Sequence, residues 1–283
     1  MAVNHTQSPV TYLRPAKGLA ALNLRDLWEY RELTLFLTWR DLKVRYKQTL
    51  LGFSWVILQP VINLVVFNIL FGNLLNVPTD NIPYPIFFVS AYLPWEYFSG
   101  SLTRSSSSLV GSANLISKIY FPRMVIPISS VLSRLVDFAV SFIVLIVLMV
   151  IYKIVPTFNL LFLPLFLLLA MITALGVGLW LSALNVRFRD INYLVPFLVQ
   201  IWMFVTPVIY GSSLIPEQFR FILGLNPMTG VVEGFRWAIL GGQLSTAYHP
   251  GPLFIISIVI TLIILVTGIF FFRNTERTFA DVI

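Results

Sequence analysis

Apolar positions in this chain fall in long uninterrupted runs instead of the short alternations of strands. Six of the runs are long enough to cross about 30 Å of hydrocarbon at about 1.5 Å per residue. They cover about residues 51–75, 83–101, 127–151, 160–184, 191–210 and 252–272. The first, fourth, fifth and sixth contain no charged residue, while Glu96 interrupts the second and Arg134 and Asp137 the third. This pattern predicts an all-α integral membrane protein with six transmembrane helices. It divides the chain into an N-terminal segment 1–50, a six-span domain 51–272 that includes an outer loop 211–251, and a tail 273–283.

The polar gaps carry patterns of their own. From Leu24 to Tyr46, Leu24, Leu27, Trp28, Leu35, Trp39, Leu42 and Tyr46 recur on one side of a helix, with Arg25, Arg40, Lys43 and Lys47 off that stripe. A basic amphipathic helix of this kind lies in a membrane interface with its Trp and Tyr at headgroup level. The gap after the second span opens on the run Arg104 to Ser108 and holds a short helical candidate at 109–120. Within 211–251, two apolar stretches, 214–225 and 231–240, are each too short to cross and are separated by Asn226-Pro227. Two short re-entrant helices fit, because irregular backbone at membrane depth is tolerated where protein or water shields it; surface-lying helices fit the same pattern.

Composition sharpens the class. Of 283 residues, 58% are hydrophobic and 11% charged, with a mean hydropathy of +0.86. Soluble domains carry about 25% charged residues, so a water-soluble globule is excluded. Cysteine is absent and there are two histidines, His5 and His249, which removes disulfides, thiolate metal sites and histidine clusters. The net charge of +7 reports topology rather than nucleic acid. Fifteen Lys and Arg fall before the first span, in 102–126, in 185–190 and after Phe272, against three (Lys153, Arg220, Arg236) in the alternate gaps. By the positive-inside asymmetry both termini face the cytoplasm. The first 50 residues are too long and too charged for a cleavable signal, so the first span is expected to act as the insertion signal.

Inside the spans, Ala170, Ala174, Gly178 and Ser182 repeat every four residues, a ridge of small side chains that lets another backbone approach. Trp55, Gln59 and Asn63 share one face of the first span, and Tyr193, Phe197, Gln200 and Phe204 one face of the fifth. Amides are costly in lipid and must face protein or water. They make either interhelical hydrogen bonds or a lining in which aromatic faces stack on sugar C–H surfaces while amides exchange with hydroxyls. Arg134 and Asp137, one turn apart, form a structural pair; Glu96, with no basic residue in its own span, is the functional candidate among the carboxylates. No catalytic constellation is present. His249 has no nucleophile beside it, no carboxylates cluster for a metal, and no glycine is followed by lysine as a phosphate-cradling loop requires. Any ATP and Mg must therefore be held by another polypeptide, and this chain is expected to be neither an enzyme nor a holder of a metal or cofactor.

Several motifs in order now carry a resemblance. They are Arg40-Asp41-Leu42-Lys43-Val44-Arg45-Tyr46-Lys47 running into Leu51-Gly52-Phe53-Ser54-Trp55 and Gln59-Pro60, and Asn185-Val186-Arg187-Phe188-Arg189-Asp190-Ile191. Thr206-Pro207-Val208-Ile209-Tyr210, Asn226-Pro227 with Phe235-Arg236, and Phe279-Ala280-Asp281 follow. On a six-span frame the chain resembles the permease subunits of ABC type-2 exporters of polysaccharides such as O-antigen, capsule or teichoic acid. That resemblance implies a homodimer in the cytoplasmic (inner) membrane enclosing one channel, with two copies of a nucleotide-binding ATPase docked beneath. The substrate would be a polysaccharide or lipid-linked glycan, with membrane lipid around it and no nucleic-acid partner. It implies ATPase coupling by Arg40, Asp41, Lys43, Arg45, Ser112, Asn114 and Lys118. It further implies an outer gate at Phe219, Phe221, Asn226, Pro227, Phe235 and Trp237, and a channel lined by aromatic residues, here Trp55, Phe197 and Phe204; Gln59, Asn63, Glu96, Tyr193 and Gln200 are the further lining candidates from the pattern of the spans. Six-span permeases for drugs or small lipophilic molecules are the alternative, and the 15% aromatic content favours the glycan reading.

Overall fold

The computed structural model describes residues 24–47, 54–241 and 251–279. His249, Leu51-Gly52-Phe53 and Ala280-Asp281 lie outside them. Two helices open the chain, α1 (Leu24–Glu29) and α2 (Arg31–Lys47). They are followed by α3 (Ser54–Phe67), which runs into a π-helical turn Asn68–Leu74, and by α4 (Tyr84–Gly111), α5 (Ala113–Ile116) and α6 (Val125–Ile151). A 3₁₀ turn Phe158–Phe162 leads into α7 (Leu163–Arg187); then come α8 (Ile191–Val205), α9 (Glu217–Gly224), α10 (Pro227–Leu240) and α11 (Pro252–Glu276). No strand occurs among the described residues.

Among the described residues, four helical segments are long and apolar enough to cross a membrane, namely Ser54–Leu74, Val125–Ile151, Phe158–Arg187 and Phe254–Glu276. They expose apolar faces, as lipid-facing helices must: Ile143, Ile146, Val147 and Val150 on α6 and Ile255, Val259, Leu262, Ile263 and Val266 on α11. The other two expected spans are different in kind. α4 has ample length at 28 residues but is too polar to face lipid, and it occupies the centre of the bundle, packed by α6, α7 and α10. α8 is apolar but stops after 15 residues, because Pro207 cannot continue the helical ladder.

The expected loop after the second span is itself helix. α4 continues through Arg104–Ser108 to Gly111, and the helix candidate at 109–120 shrinks to α5. Serine is tolerated there because its hydroxyl bonds back to the helix: Ser106 Oγ donates to Thr103 O at 2.8 Å and Ser108 Oγ to Ser105 O at 2.7 Å. Small side chains then admit α7 closely, with the ridge residues Ala170, Ala174, Gly178 and Ser182 all buried. On a second face of α7, Gly176 meets Gly268 of α11. A Cβ at Gly268 would stand 2.4 Å from the Gly176 carbonyl oxygen, so the two backbones touch.

The amphipathic N-terminus is broken at Tyr30 into α1 and α2 instead of forming one helix. Its stripe also divides. Trp28, Leu35 and Trp39 are exposed, while Leu37, which lies off the stripe, is buried together with Leu42. Leu37 joins Leu109, Ile116, Phe121, Leu179, Phe272 and Phe279 in a compact apolar cluster. This cluster ties α2, α5 and the end of α11 together. The tail is fixed further by the Arg123 main-chain amide, which donates to Glu276 Oε1 at 3.1 Å.

Candidate functional site

Two arrangements stand out, exposed aromatic and amide faces on α3 and on α8, and a buried charged knot between α2, α4 and α6. α3 lies against α4 and α6, and α8 against α4 and α7. Neither buries much of itself, with Pro60 the one buried residue of α3 and Val195 that of α8. Trp55, Phe197 and Phe204 are each more than half exposed, Tyr193 is 84% exposed, and Gln59 and Gln200 are exposed beside them. Asn63 differs from these, since its Nδ2 donates to the Tyr92 hydroxyl of α4 at 2.7 Å. Beside α8 an apolar groove of about 370 Å³ runs between Leu102, Val177, Leu181, Leu198, Ile201 and Trp202.

Glu96 does not join that surface. It faces a cavity of about 20 Å³ with Tyr97, Arg134, Asp137 and Phe138. Arg134 Nη1 donates to Asp137 Oδ2 at 2.7 Å, the pairing expected from their spacing. The same carboxylate also takes Arg45 Nη1 on Oδ2 and the Tyr46 hydroxyl on Oδ1, both from α2. Burial, followed by the Asp137 hydrogen bond, pushes the Tyr46 phenol up to about 12, so it stays a proton donor across physiological pH. Arg45, read from sequence as a residue facing the ATPase, thus points into the membrane domain. Arg40 and Lys43 stay on the surface, Arg40 paired with Asp41 at 2.9 Å. Asn114 and Lys118 are exposed and Ser112 is half-exposed at the junction of α4 and α5.

The residues read as an outer gate divide as well. Phe219 and Phe221 on α9 are about half exposed. α10, in contrast, is almost wholly buried against α4, α7 and α11. Pro227 is buried within it, Phe235 sits in the core edge-on to Phe138 at 6.0 Å, and Trp237 is half-buried beside Phe162. Asn226 is the hub. Its Oδ1 accepts from Trp202 Nε1 at 2.9 Å and from the Met228 amide at 3.1 Å, capping α10, while its Nδ2 donates to Thr206 Oγ1 at 2.8 Å. Leaving such buried groups without partners costs about 1–3 kcal/mol each. Asn226→Ala is therefore expected to lower the midpoint of thermal unfolding in detergent markedly, whereas Phe221→Ala leaves it unchanged.

Arg236 reads from sequence as a charge of the outer loop, yet it is fully buried. Its Nη2 donates to the carbonyls of Pro207 at 3.0 Å and Val208 at 3.1 Å, and its guanidinium lies 3.9 Å above the Phe87 ring. Tyr84 Oη donates to the next carbonyl, Ile209 O, at 3.1 Å. Together these side chains satisfy the backbone that Pro207 releases from helix. An arginine one turn after Glu233, inside an otherwise apolar stretch, was the signal available in the sequence.

Residues 32–240 match the family of ABC-2 type transporters, and the chain belongs to that family of membrane proteins. Among its relatives is an O-antigen export system permease protein of Klebsiella pneumoniae, 30% identical over 89% of this chain and 95% of that protein. An O-antigen export system permease protein of Myxococcus xanthus is 32% identical over 75% of this chain and 82% of its own length. The polysialic acid transport protein of Escherichia coli is 28% identical over 84% and 91%. The protein is a multi-pass membrane permease of this family.

Proposed function

We propose that this chain is the membrane-spanning subunit of an ATP-driven exporter that moves a cell-envelope polysaccharide, such as O-antigen or capsule, across the cytoplasmic membrane. The observation that carries the reading is the aromatic and amide surface of α3 and α8. Residues otherwise wasteful in lipid are exposed on α3 and on α8, each of which buries a single residue within one subunit. Such a surface binds a sugar chain weakly and repeatedly, which lets a polymer slide. It calls for a second copy of the chain across it, because five spans around a central α4 leave no wide path in one subunit.

In this reading α3, α4, α6, α7, α8 and α11 are the six spans, with α4 shielded by its neighbours and α8 completed by the strap at Pro207. Both termini are cytoplasmic, and α9 with α10 close the outer mouth of the channel. Two ATPase subunits dock on α2 and α5. ATP binding draws the ATPases together and shifts the spans, a two-state change biased by a ligand held on another chain. The test is copurification with the ATPase encoded alongside and its activity with and without glycolipid extracts. Stimulation by a glycan-bearing fraction supports the proposal; stimulation by small lipophilic compounds alone, or failure to form any complex, overturns it. Trp55→Ala with Phe204→Ala is expected to lower polymer export about tenfold, since each ring removed takes away about 0.5–1.5 kcal/mol of stacking, without loss of the complex.

A further inference from the structure

We propose that the charged knot joining Arg45, Tyr46, Asp137, Arg134 and Glu96 is the joint through which movement of α2 is passed to the membrane helices, with Asp137 as its positioning residue. The inference rests on the proposed docking of an ATPase on α2. Two elements meet at one carboxylate, α2 through Arg45 and Tyr46 and α6 through Asp137 and Arg134, and α4 brings Glu96 to face Arg134 and Asp137 across the small cavity. Glu96 Oε2 and Arg134 Nε are buried there without a partner in the protein, and the cavity has room for about one water. Arg104 of α4 lies within electrostatic reach of Arg45, Asp41, Arg134 and Asp137. With Arg40, which pairs with Asp41, the site sets four arginines (Arg40, Arg45, Arg104 and Arg134) against the carboxyl groups of Asp41, Glu96 and Asp137.

Two features set this knot apart from a general fold staple. Most of the remaining grip of α2 on the bundle is apolar, through Leu37 and Leu42, and apolar contact is non-directional. Charge-assisted hydrogen bonds in a water-poor setting are directional and hold a register. The seat of Arg134 is also shaped by its neighbour. A Cβ at Gly100 of α4 would stand 2.2 Å from Arg134 Nη2 and 2.5 Å from its Cζ, so glycine allows the guanidinium to lie on the α4 backbone. A push on α2 therefore meets α6 and α4 together at a fixed point, immediately before the chain enters α3.

The test uses the full complex with its ATPase. The chain is otherwise free of cysteine, so a single Val66→Cys on the exposed face of α3 reports ATP-driven movement by its maleimide labelling rate, whatever the substrate. Polymer exported per ATP hydrolysed is measured alongside. Asp137→Asn is expected to leave assembly and ATP hydrolysis near wild type while reducing both the ATP-dependent labelling change and polymer per ATP about tenfold. Gly100→Ala keeps every charge and adds helix propensity; it is expected to reduce both readouts to a lesser extent by unseating Arg134. The reciprocal exchange, Arg45→Asp with Asp137→Arg, should recover part of the loss. Wild-type labelling and stoichiometry in the variants that assemble would overturn the proposal, as would loss of assembly in all of them, which marks a purely structural cluster. A normal ATP response that needs Asp137, in a complex that moves no polymer, would instead retain the joint and count against the polysaccharide reading.

Discussion

Replacing Arg236 with alanine is expected to remove most of the folded protein from the membrane and to abolish transport. The side chain is fully buried, its guanidinium stacks on Phe87, and it satisfies the Pro207 and Val208 carbonyls where α8 gives way to irregular chain. Water cannot take over that role at a site closed by α4 and α10. Two orphaned carbonyls and the missing stacking sum to about 4 kcal/mol, a large part of the roughly 5–15 kcal/mol that holds a typical domain together. Arg236→Lys is expected to recover only part of this, because an ammonium supplies a point charge without the planar fork or the stacking surface. The measurement is the yield of monodisperse protein in mild detergent and its unfolding midpoint for the three forms. An alanine variant as stable as wild type would show that the 206–211 strap is held by other groups.

The second large effect is expected where two helices touch backbone to backbone. Gly268→Leu places a side chain where even a Cβ lies 2.4 Å from the Gly176 carbonyl oxygen, an atom that cannot rotate away. α7 and α11 must separate along their whole crossing, and the cost is about 3 kcal/mol, from strain and from the weakened packing of both helices. Gly111→Ala supplies the contrast. Nothing lies within 4 Å of a Cβ there, so alanine should be neutral or slightly stabilising. Unfolding followed by tryptophan fluorescence separates the two, and equal behaviour would sink the close-crossing account.

Gly176 and Gly268 were less visible beforehand than Gly178 of the small-residue ridge. The ridge Ala170, Ala174, Gly178 and Ser182 announces itself by period and faces α4, as the buried ridge and the contact between Gly178 and Ser105 show. Gly176 lies off that ridge and Gly268 has no small residue at the matching spacing, so nothing in either segment alone indicates that they meet. A crossing of two helices is a property of the pair. The same holds for Asp137. Its partner Arg134 is one turn away and was legible, whereas Arg45 and Tyr46 lie 92 and 91 positions distant and arrive only through folding.

The sequence by itself determined the solvent of this protein, the existence and approximate limits of its apolar helices, the charge asymmetry between its gaps and the absence of a nucleotide-binding loop. These follow from composition and run length, which act locally and need no partner. Tertiary structure alone decided which helix is central. α4, too polar to face lipid, is covered by α6, α7 and α10, and its serines bond to their own helix. It likewise turned Arg236 from a loop charge into a buried strap and Arg45 from a surface residue into part of a knot. A charged side chain in an apolar setting can be placed only once its partners are known, since the cost of burying it and the gain that offsets that cost come from different parts of the chain.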